Sequence, residues 1–212
     1  MKYTDIRTFA KPSTPEEGEL RKKQHSAIRI KEWVAGFLKR TDIKKNSNGS
    51  YDVGGDVDIT DLGLKSIQEL GIRFGKVGGN FDCKTNQLKN LQGGPSSVGG
   101  RFSCVHNQLI SLQGSPSSVG GGFYCGHNQL PSLQGGPSSV GKDFDCDSNQ
   151  LPSLQGSPSF VGRNFYCDHN QLASLQGCPS SVGGVFGCND NKKKFTKEEV
   201  RAVCKVKDNI YV

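Results

Sequence analysis

The chain contains one 21-residue segment written five times in succession. The triplet Asn-Gln-Leu begins at Asn86, Asn107, Asn128, Asn149 and Asn170, so the period does not change. The full unit reads Asn-Gln-Leu-x-x-Leu-Gln-Gly-x-Pro-Ser-x-Val-Gly-x-x-Phe-x-Cys-x-x. A fixed period in this range predicts a solenoid, in which each unit packs mainly against its two neighbours.

Each unit contains a Phe-x-Cys triplet in which two apolar residues flank a variable one. This alternation predicts a short strand with one buried face, and stacked units would pair these strands into a parallel sheet with a spacing of about 4.8 Å. The Asn that follows each Cys by three residues would form a ladder, because an amide can both donate to and accept from backbone groups. Leu88 and Leu91, with their equivalents, would fill the core. The Gly-x-Pro-Ser segment would return along the convex side in extended form, since Pro disfavours a helix.

This pattern resembles the Leu-x-Leu-x-x-Asn-x-Leu core of leucine-rich repeats, with Phe and Cys in the first two leucine positions. It is similar to the short repeats of secreted bacterial effector proteins. It is closer to repeat proteins of phages and bacteria that carry tandem Val-Gly-Gly-x-Phe-x-Cys-x-x-Asn-x-Leu units, and the likeness covers roughly Val53 to the C-terminus. The resemblance implies an α+β repeat fold, a short leucine-rich-repeat solenoid with a parallel β-sheet on its concave face.

Residues 1–52 are predicted to form an N-terminal arm, a helix and a β-hairpin. Thr14 and Pro15 are typical of a helix start, and Asn48-Gly49 is typical of a two-residue hairpin turn with positive φ at both positions. The helix would either cover the open end of the solenoid or bind a partner, and we favour the capping role. Its apolar face comprises Ile30, Trp33, Val34, Phe37 and Leu38.

Residues 53–191 are predicted to form the solenoid, and residues 192–212 a C-terminal cap. The first unit is degenerate, with Val57 and Ile59 in the Phe and Cys positions, and it is three residues longer than the others. Thr196 and Glu199 form a capping box that predicts a second helix. This helix would seal the core with Phe195, Val200 and Val203.

Six of the eight cysteines occupy the same inward-facing repeat position. We interpret them as buried free thiols in a reducing cytoplasm. The alternative is a metal or cluster site, but no Cys-x-x-Cys pair exists and a row of ligands does not form a tetrahedron. His106, His127 and His169 also share one repeat position, and we interpret it as a polar strand exit, with a metal site or a pH-sensitive patch as the alternatives. We therefore predict neither a metal nor a cofactor.

The formal charge of +7 is uneven, with +6 in residues 1–45, −2 in residues 46–188 and +3 in residues 189–212. Such asymmetry indicates either an acidic partner, such as nucleic acid, or simply solvated helix faces. No aromatic residues alternate with the basic ones, as a nucleic-acid groove would require. We expect neither a signal peptide nor a transmembrane span. The basic residues that form a second candidate surface are Arg21, Lys22, Lys23, Arg29, Lys31, Lys39 and Arg40.

The outward positions of the Phe-x-Cys strands vary between units, whereas the core positions hardly change. This contrast predicts a protein-binding surface on the concave face, although an unselected surface would show the same contrast. Tyrosines are typical anchors of interfaces, and a patch of aspartates would suit a basic protein and repel nucleic acid. The predicted surface comprises Asp82, Lys84, Arg101, Ser103, Tyr124, Asp143, Asp145, Asp147, Tyr166 and Asp168.

No catalytic motif is present in the sequence, which has no nucleophile elbow, phosphate-binding loop or zinc-protease motif. We therefore expect a cytoplasmic, non-enzymatic scaffold that binds a protein. The phage-type resemblance implies a host protein, for example a defence component that the chain inhibits. The alternative is a nucleic-acid-associated protein that acts through the basic N-terminal helix. The sequence leaves the oligomeric state open.

Overall fold

The computed structural model describes residues 14–212, which wind into a β-solenoid of about eight layers. Each layer contributes one strand to each of two sheets. Sheet A consists of β1 (Ile43–Lys45), β2 (Tyr51–Val53), β4 (Phe74–Val77), β6 (Ser97–Val98), β8 (Ser118–Val119), β10 (Ser139–Val140), β12 (Phe160–Val161), β14 (Ser181–Val182) and β16 (Lys205–Val206). Sheet B consists of β3 (Val57–Asp58), β5 (Phe81–Asp82), β7 (Phe102–Ser103), β9 (Phe123–Tyr124), β11 (Phe144–Asp145), β13 (Phe165–Tyr166), β15 (Phe186–Gly187) and β17 (Ile210–Tyr211).

The solenoid and its Phe-x-Cys sheet confirm the prediction from the repeat, but the second sheet was not predicted. The Ser-Val pair of most units, and Phe160–Val161 in β12, forms a strand of sheet A, where a return segment followed by a turn was expected. These strands are parallel and in register from layer to layer, as in the pairing of Val119 with Val140. Two residues are too few for an alternating pattern to be visible in the sequence.

The core between the two sheets is built from identical side chains stacked on one another. Phe81, Phe102, Phe123, Phe144, Phe165 and Phe186 are fully buried, and the ring centroids of successive layers lie 5.3–5.5 Å apart. Stacked aromatic pairs stabilise a fold by about 0.5–1.5 kcal/mol beyond their burial. The repeat leucines and valines fill the remainder of the core, so each layer covers the apolar side chains of the layer before it.

The predicted asparagine ladder is present. The Asn86 side-chain amide donates to the carbonyl oxygens of Ile59 and Cys83, at 2.9 and 3.1 Å, and its oxygen accepts from the Leu64 N–H at 3.0 Å. The same arrangement recurs at Asn107, Asn128, Asn149, Asn170 and Asn191. Each amide therefore joins two layers where the chain leaves sheet B.

The helix α1 (Pro15–Phe37) lies against the first layers of the solenoid. Thr14 is its N-cap and accepts from the Glu17 N–H, as predicted. The Phe37 ring packs edge-on against Phe74 and Tyr51, and the Trp33 indole donates to the Asp58 carbonyl oxygen at 2.6 Å. The indole therefore occupies a hydrogen-bond acceptor at the outer edge of β3, the first strand of sheet B. This contact blocks the pairing of β3 with a strand of another chain.

Two details of the N-terminal region differ from the prediction. Leu38 is the C-cap residue and is 50% exposed, so it does not belong to the packed face. The hairpin formed by β1 and β2 has a longer loop than a two-residue turn, since Asn46 and Ser50 close it and positive φ occurs only at Gly49. The predicted arm, residues 1–13, lies outside the described residues.

The C-terminal region also departs from the prediction. The helix α2 (Lys197–Val203) begins at the predicted capping box, and Phe195 and Val200 are buried. Val203, however, is 48% exposed, so it does not seal the core. After α2, where the alternation of Lys205 to Val212 predicts a final edge strand, the chain adds β16 and β17 at the ends of the two sheets. Strands rather than a helix therefore form the last layer.

Candidate protein-binding face

The outer face of sheet B carries the residues that the sequence analysis selected as a binding surface. The parallel register aligns the variable residue of each Phe-x-Cys triplet with its neighbours, about 4.8 Å apart. In this way Tyr124, Asp145 and Tyr166 lie side by side on β9, β11 and β13. We call the whole row the tyrosine–aspartate row; in order it comprises Asp58, Asp82, Ser103, Tyr124, Asp145, Tyr166, Gly187 and Tyr211.

Tyr211 is a member of this row that the sequence analysis missed. It lies on β17 opposite Gly187 and is 53% exposed. Tyrosines therefore occupy alternate layers from Tyr124 to Tyr211. The alternating pattern of Lys205 to Val212 indicates an edge strand. Because this segment lacks the repeat motif, its register against the preceding unit could not be predicted.

The two predicted tyrosines are anchored by their surroundings. The Tyr124 hydroxyl donates to the Asp143 carboxylate at 3.2 Å, and its ring lies over Gly122, where an added Cβ atom would come within 2.6 Å of the ring. Burial is the first cause that raises the pKa of both Tyr124 and Tyr166, so both remain neutral hydrogen-bonding groups. Their rings are half-buried and offer flat contact area.

The acidic residues of this face do not all have the same role. The Asp143 carboxylate accepts the Asn164 N–H at 3.2 Å, and Asp168 accepts the Asn189 N–H at 2.7 Å, so these two tie adjacent layers together. Asp145 lies in the row between the two tyrosines. Burial, followed by a hydrogen bond with Asp147, raises the pKa of Asp145 to about 7.

The remaining predicted residues of the face lie toward the N-terminal layers. Arg101 forms an ion pair with Asp82 at 2.8 Å, and Lys84 is half-buried. Ser103 is only 5% exposed, so it offers no contact area, in contrast to the prediction. The structure thus brings the tyrosines and the other aspartates together and leaves Asp82, Lys84 and Arg101 as a separate group, with one acidic and two basic side chains.

The second candidate surface, along α1, is largely neutralised by ion pairs. Arg21 pairs with Glu17 at 2.6 Å, and Lys22 pairs with Glu19 at 3.0 Å. Arg29 pairs with Asp61 at 3.4 Å, and Arg40 pairs with Asp42 at 2.6 Å. Lys23, Lys31 and Lys39 are exposed. Ion pairs therefore offset the charge of four of these seven basic residues.

The backbone conformation explains which residue types occupy the repeat position that contains three histidines. Asp61, Thr85, His106, His127, Ser148, His169 and Asp190 all have φ between 51° and 56°, the left-handed region. Asn, Asp and His tolerate this conformation better than most other residues. The His106 and His127 rings also stack, with centroids 4.5 Å apart. Within residues 14–212 no group of three or more His, Cys, Asp and Glu side chains is arranged to hold a metal ion.

We expect Thr85→Asn to stabilise the protein by about 1 kcal/mol, because a β-branched residue is strained at a φ of 56°. Chemical denaturation of both proteins measures this change. Ser148→Asn, at the equivalent position without a branched side chain, is the matched control and should change the free energy of unfolding less. Equal effects of the two substitutions would contradict the explanation from backbone strain.

We expect Asp145→Asn to remove a pH dependence of stability between pH 5 and pH 8. The pKa of Asp145 in the folded protein, about 7, lies above its ordinary value of 3.8. Its contribution is therefore fully present below about pH 4 and is lost as the pH rises through 7. After discounting for partial exposure, we expect the wild type to lose about 1–2 kcal/mol over this range relative to the variant.

Denaturation midpoints of both proteins at pH 5 and pH 8 measure this difference. Asp208→Asn, at an exposed position near the C-terminus, is the control and should retain the wild-type pH dependence. A wild-type slope that persists in Asp145→Asn would contradict the assignment of this titration to Asp145.

Comparisons of the chain with protein-family models, with curated proteins and with solved structures find no match. No helix within residues 14–212 has the length and apolar character needed to cross a bilayer. The candidate site therefore rests on its own geometry.

Proposed function

We propose that the chain is a non-enzymatic scaffold that binds a basic segment of another protein through the tyrosine–aspartate row. The observation that carries this proposal is that half-buried tyrosines and acidic side chains lie together on the outer face of sheet B. Tyr124 and Tyr166 lie on either side of Asp145, and Asp147 and Asp168 border the same area. Such an area has the two properties that a basic partner needs, which are rigid aromatic surface and negative charge.

The chemistry of the row favours cationic side chains of the partner. A guanidinium or ammonium group above Asp145 would lie between two tyrosine rings, where cation–π attraction adds to the carboxylate attraction. Binding of a cation would also favour the ionised form of Asp145, whose pKa is raised by burial. We therefore expect affinity to increase from pH 6 to pH 8.

The resemblance to leucine-rich-repeat proteins of phages and bacteria supports a wider version of this proposal. In it the chain is a leucine-rich-repeat relative with a C-terminal cap that includes α2, it acts in the cytoplasm of a bacterium, and its partner is a host protein such as a defence component. This part rests on sequence pattern alone. A face that binds its partner by surface contact suits inhibition by occupancy.

Affinity capture from a bacterial lysate, with and without nuclease, tests the proposal. The captured protein is then purified, and its affinity for the chain is measured by titration. We expect one protein to be captured equally with and without nuclease. This protein should bind the double variant Tyr124→Ala/Tyr166→Ala at least tenfold more weakly than it binds the wild type. Lys23→Ala/Lys31→Ala, on the exposed side of α1, is the matched control and should bind normally. Recovery that nuclease abolishes and that depends on these lysines would instead support the nucleic-acid alternative and overturn the proposal.

A further inference from the structure

The outer face of sheet A carries one exposed aromatic side chain in a row of serines. Ser97, Ser118, Ser139 and Ser181 occupy the same outward position in four units, and the parallel register aligns them. Phe160 takes this position in the remaining unit, on β12, and is 52% exposed. Because serine suits the fold at this position in four units, packing does not require the phenylalanine.

Two basic residues interrupt a column of glycines at the corner that follows sheet A. Glycine occupies this position in three units, as Gly100, Gly121 and Gly184. The Lys142 N–H donates to the Gly121 carbonyl oxygen at 3.0 Å, and the Arg163 N–H donates to the Lys142 carbonyl oxygen at 3.0 Å, so the two basic residues lie in adjacent layers. Both side chains are exposed, and Arg163 approaches Asp143 only at 3.9 Å.

Phe160, Lys142 and Arg163 therefore lie together on two adjacent layers, and we call them the sheet A cluster. Three residue steps separate Phe160 from Arg163, which places their Cα atoms up to about 10 Å apart. Gly162 lies between them on the surface and adds no side chain. An open groove, lined by serines and glycines of the three preceding layers, leads up to the Phe160 ring. The cluster thus has an aromatic ring on one side of a bare strip and two cations on the other.

Further lysines continue the basic charge along the same face. Lys76 precedes the first serine of the row, and Lys205 follows the last. The six steps between them, at about 4.8 Å each, make the row about 29 Å long. Asp208 is the one acidic residue in the corner column, and it lies two layers beyond Arg163. The outer face of sheet A is therefore basic, in contrast to the tyrosine–aspartate row of sheet B.

We propose that the outer face of sheet A binds single-stranded nucleic acid, with a base stacked on Phe160 and the adjoining phosphates bound by Lys142 and Arg163. An aromatic ring for the bases and cations for the backbone are the two parts of such sites. The planar guanidinium of Arg163 can bind a phosphate through two hydrogen bonds. The length of the basic face favours a strand over a single nucleotide.

This surface differs from those considered above. The basic residues along α1 have no aromatic side chain among them, whereas the sheet A cluster includes one. The tyrosine–aspartate row lies on the other sheet and would repel phosphates. The inference therefore goes beyond the proposed function, and the chain could hold a protein on sheet B while sheet A holds a nucleic acid.

Fluorescence anisotropy of the purified full chain with a labelled oligothymidine of about 12 nucleotides tests the inference. We expect saturable binding at about 50 mM salt that weakens as the salt concentration rises. Phe160→Ser should lower the affinity about tenfold without changing the salt dependence, because the ring contacts a base and no phosphate. Lys142→Gly/Arg163→Gly should lower the affinity and reduce the slope of log affinity against log salt by about 1.4, since two phosphate contacts are lost.

These variants restore residues that other units have at the same positions, so they should fold normally. Tyr124→Ala/Tyr166→Ala and Lys23→Ala/Lys31→Ala are the controls and should bind the oligothymidine as the wild type does. Because the tyrosine variant separates the two faces, failure of this inference can be distinguished from failure of the proposed function. A duplex of the same length should bind more weakly, since its bases are already stacked.

Absence of binding at low salt would overturn the inference. Equal affinity of Phe160→Ser and the wild type, or a salt dependence unchanged in Lys142→Gly/Arg163→Gly, would also overturn it. Vesicles that contain phosphatidylserine provide a further arm. Binding to these vesicles that Phe160→Ser abolishes, without binding to the oligothymidine, would assign the face to an anionic membrane surface instead.

Discussion

Replacement of Asn128 by Ala is expected to lower the free energy of unfolding by about 3–4 kcal/mol. The Asn128 amide donates to the carbonyl oxygens of Cys104, Cys125 and Gly126, each at 3.1 Å, and accepts the Leu109 N–H at 3.0 Å. Asn128 itself is 9% exposed. The substitution therefore removes four hydrogen bonds at a site that water reaches poorly, and the backbone groups left behind keep their desolvation cost.

Denaturation of three variants compares the loss of stability at Asn128 with the losses at two other positions. Gln129→Ala, at the adjacent exposed residue, should change the stability by less than about 0.5 kcal/mol. Asn191→Ala, at the last and partly exposed rung of the ladder, should cost less than Asn128→Ala because an end layer frays more easily. A loss below about 1 kcal/mol at Asn128 would show that the ladder contributes little to the cohesion of the layers.

The features that were predictable from the sequence are those that the repeat itself encodes. Phe and Cys in alternate positions predicted the strands of sheet B, and Asn three residues later predicted the ladder. Both helix starts followed from local capping residues, Thr14 and Thr196, whose hydrogen bonds involve only the next three residues. These features depend on short-range chemistry or on the contact of one unit with an identical neighbour.

The features that were not predicted depend on particular contacts between layers, and these contacts are not visible in the sequence. Sheet A is built from strands of two residues, and their glycine neighbours suggested turns instead. The hairpin loop is set by the Asn46 and Ser50 pairing, which is not a property of Asn-Gly alone. Tyr211 joined the face only because β17 takes the register of a repeat that it does not resemble in sequence.

The candidate site was predictable in outline but not in its electrostatics. The residue types and the inward–outward alternation placed the tyrosines and aspartates on one face. Ser103 is nevertheless buried between its neighbours on the adjacent strands, Asp82 and Tyr124. The raised pKa of Asp145 arises from burial and from Asp147, and burial of a carboxylate is visible only in the folded chain.

The glycines of sheet A lead to the second large effect, a loss of about 3 kcal/mol or more in Gly120→Ala. A methyl carbon on Gly120 would overlap the carbonyl oxygen of Gly99 in the preceding layer. This oxygen belongs to the backbone and cannot move without shifting its whole layer. Gly78, Gly99, Gly141, Gly162 and Gly183 form the same column, in which each glycine after the first meets the carbonyl oxygen of the one before.

Gly36→Ala in α1 is the matched control, because it makes the same chemical change where no atom lies within 4 Å. Alanine is favoured over glycine in a helix, so this variant should be more stable than the wild type by about 0.5–1 kcal/mol. The two substitutions are therefore expected to have opposite signs in the same denaturation experiment. A small effect of Gly120→Ala would mean that the layers can separate slightly at sheet A, and that close backbone approach is not the reason for glycine in every unit.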